Sequence, residues 1–142
     1  MSGYLDSSGA VKLFLGDEGS TDELRAFMEF AGTIATSRLT YVETRAALAA
    51  ARRAGRIGSV EHDEAVSRLE AAWRTFTIVD LTQAIAEDAG TVAEAFGLRA
   101  GDAVQFASLR GLESPNVPLI AWDERLRAAA QASGFPCYPV EF

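Results

Sequence analysis

The chain has one cysteine, Cys137, so it cannot close an internal disulfide, and a lone thiol is neither a metal cluster nor a redox pair. Cys137 reads as a small hydrophobe near the C-terminus. The one histidine, His62, falls in the first turn of an acidic helix start and takes no catalytic role. No apolar run approaches the roughly 20 residues of a membrane span, and the N-terminus has no basic stretch leading into an apolar one. A cytoplasmic protein without a membrane partner is the expectation. Positive charge is also scarce: 13 Lys and Arg stand against 20 Asp and Glu, a net charge of -7. Such a balance argues against a surface that holds nucleic acid through a general positive field, so a nucleic-acid enzyme built on this chain must supply cations locally. Low-complexity tracts, internal repeats and linkers are missing, which leaves residues 1–142 as a single domain. That length buries about 68 to 70% of the surface of the unfolded chain.

What the chain does have is strand and helix in alternation. Asp6 closes the stretch GYL and precedes SSGAVKLFL; Asp123 closes VPLIAW and precedes ERLRAAAQASG. Both read as strand, acid, helix. Ser20 to Glu23 (STDE) has the form of a capping box, with Leu24, Phe27, Met28 and Ala31 following at helical spacing. TIAT is a short strand candidate. A long helix runs from about Ser37 to a stop at Gly55, and SVEHDEAVSRLEAAWR starts another with Ser59 as its cap. FTIVDL reads as a strand, TQAIAEDAGTVAEAF as a helix ended by Gly97, and GDAVQFASLRG as a shorter helix. The final FPCYPVEF is demoted to an edge strand by Pro136 and Pro139. Strands separated by helices imply an α/β domain with a parallel-stranded central sheet flanked by helices.

In such a sheet the turns after the strands gather in one crevice at the carboxyl ends, where ligands bind. Four acids, Asp6, Glu43, Asp102 and Asp123, are the candidates to meet there. Taken singly, each has an ordinary explanation. Asp6, Asp102 and Asp123 are all in place to cap a helix. Glu43 is more informative: if its helix starts at Ser37, then Leu39, Val42, Ala46 and Ala49 form the buried stripe and Glu43 falls inside it. A carboxylate facing inward needs a partner or a metal. Asp80 also ends a strand and precedes a helix, but a surface turn suits it better. Ser8 reads either as a plain helix-start residue or as a hydroxyl that orients a carboxylate. Arg38, Arg45 and Arg52 recur every seven residues on the Glu43 helix, and Lys12 follows Asp6 by six. They suit RNA phosphates, although arginines on a helix more often mark a solvated face. Trp73, Phe76, Phe27 and Phe30 are spaced as core residues or as part of a dimer interface.

The chain resembles the PIN-domain ribonucleases, and among them the VapC-type toxins of bacterial toxin-antitoxin pairs, over almost its full length. YLDSSGAVKLFL looks like the family's opening strand and helix, with Asp6 as the first acid. TSRLTYVETRAALAAARRAGRI is similar to the second motif and carries Glu43, LRAGDAVQFASL to the third with Asp102, and IAWDERLRAAAQASGF to the fourth with Asp123. Two departures stand out. Ala121 occupies the position where the family often has a hydroxyl residue, and Gly9 the position where Ala is usual. The resemblance implies hydrolysis of RNA phosphodiesters, a homodimer, and a small VapB-type antitoxin partner whose C-terminal segment covers the acidic site.

The chemistry of the four acids agrees with this. Hard divalent cations such as Mg²⁺ or Mn²⁺ prefer oxygen ligands and keep several waters, so few protein ligands are needed. Asp6 and Asp102 are expected to be the principal direct ligands, with Asp123 and Glu43 acting through water or on the nucleophile. Two other enzyme classes place an acid after the first strand, but Ser8 stands where haloacid-dehalogenase phosphatases want a second Asp. Receiver domains want adjacent acids and a late Lys, and Lys12 is the chain's one lysine. The alternative outside enzymes is a non-catalytic PIN-like module that binds RNA or protein without cutting.

Overall fold

The computed structural model describes residues 2–16 and 18–141. Five strands, β1 (Ser2–Leu5), β2 (Thr33–Ser37), β3 (Thr77–Val79), β4 (Leu119–Ile120) and β5 (Cys137–Tyr138), form one sheet in the order β3-β2-β1-β4-β5. Every neighbouring pair is parallel. Parallel neighbours need long crossovers, and helices supply them. α1 (Ser7–Leu15) and α2 (Glu18–Ala31) follow β1; α3 (Arg38–Arg53) and α4 (Ser59–Trp73) follow β2. α5 (Gln83–Phe96) and α6 (Ala100–Arg110) precede β4, and α7 (Glu124–Ala132) leads to β5.

The two-residue period of a strand sends alternate side chains to opposite faces, and two separate cores result. Tyr4, Ala35 and Leu119 pack with α5, α6 and α7 through Val92, Phe106 and Leu126. Their neighbours Leu5, Ile34 and Ile120 pack with the first four helices through Leu13, Leu24, Leu48 and Leu69. The strand order reverses at β1, whose partners are β2 on one side and β4 on the other. Ligands of open α/β sheets bind beyond the strand ends at this switch point. Asp6 and Asp123 follow the two strands that flank it.

Several local expectations shift. α2 begins at Glu18, so Ser20 to Glu23 lies inside the helix rather than capping it; the motif marks the neighbourhood of a start, because Ser, Thr and Asp are also tolerated within a first turn. Ser59 is the first residue of α4 rather than its cap: Gly58 takes the cap position, and its N–H donates to the Glu61 carboxylate at 2.5 Å. Asp102 is not the cap of α6: Arg99 takes that place and Asp102 sits in the first turn, where a negative charge suits the helix dipole. β5 is the edge strand that the two prolines predicted, though only Cys137 and Tyr138 pair; Phe142, at the end of that segment, lies outside the described residues. Gly97 closes α5 with φ +66°, a left-handed conformation that glycine adopts without penalty.

Candidate active site

Asp6 leaves β1 and caps α1, where its Oδ1 accepts the Gly9 N–H at 2.8 Å. The Ser8 hydroxyl lies 2.7 Å and 2.9 Å from the two carboxylate oxygens, so its one proton is shared between them. Ser8 Oγ also accepts the Trp122 N–H at 2.8 Å, which ties the β1 turn to the β4 turn. Asp6 is only 3% exposed. Burial, opposed by the Gly9 and Ser8 hydrogen bonds and reinforced by the charge of Asp123, pushes its pKa up to about 7.

Gly9 explains itself in this setting. A Cβ there would stand 2.7 Å from the Ile120 carbonyl and 2.7 Å from Leu5 Cδ1, closer than real atoms approach. The alanine usual in the resembled family does not fit this backbone. Gly9→Ala is expected to lower stability by about 1 to 3 kcal/mol through overpacking, read as a lower denaturation midpoint; an unchanged midpoint would contradict the close approach of α1 and β4.

Asp123 caps α7 through Oδ1, which accepts the Leu126 N–H at 2.8 Å, leaving Oδ2 without a protein donor among the described residues. Ala121 offers no hydroxyl to it; its side chain is buried in the apolar core under α6 and α7. Asp102 is half-buried. Burial first, then the charges of Asp123 and Glu43, raise its pKa, while Arg99 and Arg125 oppose the rise. These couplings show which acids share a neighbourhood: Asp123 acts on both Asp6 and Asp102, and Glu43 on Asp102. A cleft of about 330 Å³ beside them is lined by Arg99, Asp102, Trp122, Asp123, Glu124 and Arg125.

Glu43 is on the crevice side, but not for the predicted reason. The buried stripe of α3 is Thr40, Thr44, Leu48 and Ala51, while Val42 is 61% exposed and Ala46 is exposed. The helix is apolar or small on most of its circumference, so periodicity alone could not choose the face. Glu43 flanks the true stripe, half-buried. Its Oε1 accepts from Ser7 Oγ at 2.7 Å and from Gln105 Nε2 at 3.3 Å. Its Oε2 faces the start of α6, 3.3 Å from where a Cβ on Gly101 would stand. Glycine at 101 leaves that carboxylate room.

The residues that sequence reading missed are those behind Glu43. Gln105, 1% exposed, accepts from the Tyr4 hydroxyl at 2.6 Å and donates to Ser7 at 2.8 Å and to Thr40 at 3.0 Å. A glutamine on the apolar face of DAVQFASL was the available signal, because a buried amide must be hydrogen-bonded. Asp80 stays outside: it is exposed and paired with Arg38 at 2.8 Å. Arg45 is engaged with Tyr41 and with Glu70 of α4, so two of the three heptad-spaced arginines are paired at the surface between α3 and its neighbours. A larger hollow of about 740 Å³ along α3, between Tyr41 and Arg53, is lined by no carboxylate.

The donor set is all oxygen. Asp123 keeps Oδ2, Glu43 keeps Oε2, and no donor is hydrogen-bonded to Asp102 among the described residues. Hard divalent cations match this chemistry. No three acidic, histidine or cysteine side chains among the described residues already stand as a finished metal cage. Of the four acids, Asp102 and Asp123 line the cleft, and a cation held there would take its remaining coordination positions from water, as Mg²⁺ tolerates.

Comparison with known proteins follows the same lines. The chain is 36% identical over 138 residues, 97% of its own length and 95% of theirs, to Ribonuclease VapC45 of Mycobacterium tuberculosis strain CDC 1551 / Oshkosh and to Ribonuclease VapC49 of strain ATCC 25618 / H37Rv. Its backbone matches PAE2754 from Pyrobaculum aerophilum with TM-score 0.69 at 23% identity, covering 99% of this chain and 93% of that one. It matches a chain of a toxin-antitoxin complex from Klebsiella pneumoniae with TM-score 0.61 at 21% identity, covering 85% and 86%. With the PIN domain model matching residues 3–132, the chain belongs to the PIN domain family.

Proposed function

We propose that the protein is a metal-dependent endoribonuclease that acts as the toxin of a toxin-antitoxin pair. The observation that carries this reading is the crevice at the β1/β4 switch point, where the charge of Asp123 bears on both Asp6 and Asp102 and Glu43 Oε2 faces the start of α6 at Gly101. The names of the two ribonuclease relatives agree with it.

The residues divide the work by position. Asp6, deepest and most desolvated, and Asp102, without a hydrogen-bonded donor among the described residues, would be the direct ligands of Mg²⁺ or Mn²⁺, with Asp123 and Glu43 placed to hold its waters. A bound divalent cation would neutralise the phosphate, acidify a water and stabilise the leaving oxygen. The Ser8 hydroxyl fixes the plane of the Asp6 carboxylate. Gly9 N–H and Leu126 N–H each hold one oxygen of Asp6 and Asp123, so the second oxygens keep a set direction. Arg99 and Arg125, beside the acids in an otherwise acidic molecule, supply local positive charge for RNA phosphates. Trp122 lines the same cleft, with the Lys12 ammonium 5.7 Å from its ring centre.

A homodimer, a VapB-type antitoxin that blocks the crevice, and a cytoplasmic site of action complete the proposal. A binding module that does not cut is the second reading, favoured by the lack of a finished metal cage. Induction of the wild-type chain in bacteria tests the two. Growth arrest with discrete new RNA fragments, relieved by co-expressing the antitoxin, is the expected result. Normal growth with intact RNA and folded protein would favour the binding module. Asp80→Asn serves as the control: exposed and paired only with Arg38, it is expected to leave arrest, cleavage and Tm unchanged. If Asp80→Asn abolishes cleavage while Asp123→Asn does not, the fourth acid has been misassigned.

A further inference from the structure

Behind Glu43 lies a polar chain that the reaction does not need for ligands. Tyr4 is buried in β1, with its hydroxyl as an O–H donor aimed at α6. Gln105 Oε1 accepts that proton at 2.6 Å. The amide orientation is thereby decided: the NH₂ end, with two protons, must face Ser7 at 2.8 Å, Thr40 at 3.0 Å and Glu43 at 3.3 Å, so one proton is shared. A flipped amide would set its oxygen against Glu43 Oε1 and its NH₂ against the Tyr4 hydroxyl. Ser7, which accepts from Gln105, donates in turn to the same Glu43 oxygen. Both donors converge on Oε1, and Oε2 is left to face the start of α6.

We infer that Gln105, its amide held in one orientation by Tyr4, is a positioning residue that turns Glu43 Oε2 into the crevice and so sets the affinity of the carboxylates for a divalent cation. The inference rests on the cation-dependent reading above and adds residues that touch neither cation nor RNA. A partner behind a ligand sets its direction, and removing such a partner commonly weakens metal binding by about 10- to 100-fold.

The test is calorimetric titration of the purified full chain with Mn²⁺, together with thermal unfolding in the absence of metal, for wild type, Gln105→Leu, Glu43→Gln and the double variant. Gln105→Leu is expected to bind Mn²⁺ about tenfold or more weakly, and the double variant no more weakly than Glu43→Gln alone. A purely structural glutamine would lower Tm with Mn²⁺ affinity unchanged, or would lower affinity equally in both backgrounds; either result overturns the inference. Should Gln105→Leu fail to fold, Tyr4→Phe keeps the core volume and Gln105 itself while releasing the amide. It must show a smaller loss that again vanishes beside Glu43→Gln. A wild type that takes up no Mn²⁺ overturns the cation reading and this inference with it, whereas equal binding by wild type and Gln105→Leu overturns the inference alone.

Discussion

Asp6→Asn and Asp102→Asn are each expected to lower RNA cleavage by about three orders of magnitude or more, the equivalent of the several kcal/mol that a positioned cation contributes to the transition state. Both should remove growth arrest. Neither should unfold the protein. Asparagine at 6 keeps an oxygen for the Gly9 N–H, and Ser8 can reverse its role and accept from the new amide. At 102 no hydrogen bond among the described residues is lost, and the carboxylate removed is one whose charged form is disfavoured by burial and by the charges of Asp123 and Glu43. The loss should therefore appear in rate with Tm held or increased. A variant that loses activity only because it loses its fold would show the opposite: a lower Tm with residual activity tracking the folded fraction. Nuclease assays beside thermal melts of the same preparations separate the two.

The second large effect is on stability against pH. The folded-state pKa of Asp6 is raised to about 7 from an ordinary 3.8. A group raised in this way binds its proton more tightly in the folded state, so its contribution to stability is fully present below about pH 4 and is lost as pH rises through about 7. A shift of this size corresponds to a loss on the order of 4 kcal/mol over that window, as an upper bound. Asp6→Asn has no such titration, so its stability relative to wild type should climb between pH 4 and 7 and then level off. Urea unfolding of both proteins across this range gives the difference directly. A gap that does not change with pH would show that the Asp6 carboxylate is not held protonated by burial. Cation supplies the complementary reading: at 100 times its dissociation constant, Mn²⁺ should stabilise wild type by about 2.7 kcal/mol, more at pH 8 than at pH 5 because the ligands must be deprotonated. Asp6→Asn should gain little.

Much of this architecture was legible in the chain because its signals are local. GYL-Asp6 and VPLIAW-Asp123 each show strand, acid and helix within a few residues, and both acids do cap their helices. Pro136 and Pro139 placed β5 at the sheet edge, and Gly55 and Gly97 marked helix ends that take positive φ. What failed was the choice of face on α3. Thr40 and Thr44 are buried where Val42 and Ala46 were expected, because a helix rich in alanine and threonine can pack on more than one side. Glu43 flanks the true stripe, with Oε2 facing the start of α6. The Tyr4–Gln105 bond joins residues 101 apart in sequence, and no local pattern encodes such a pair. Gly9 was read as a departure from a family habit, and only the 2.7 Å approach of the Ile120 carbonyl gives the reason.

The central claim is that these carboxylates hold a divalent cation which cuts RNA, and the most direct measurement is cleavage of cellular RNA by purified, chelator-treated protein as Mg²⁺ or Mn²⁺ is added back. The account predicts no cleavage without cation, saturable cleavage by wild type as cation rises, and none by Asp6→Asn at the same concentrations. Cleavage that persists in chelator, or that Asp6→Asn performs as well as wild type, would contradict it.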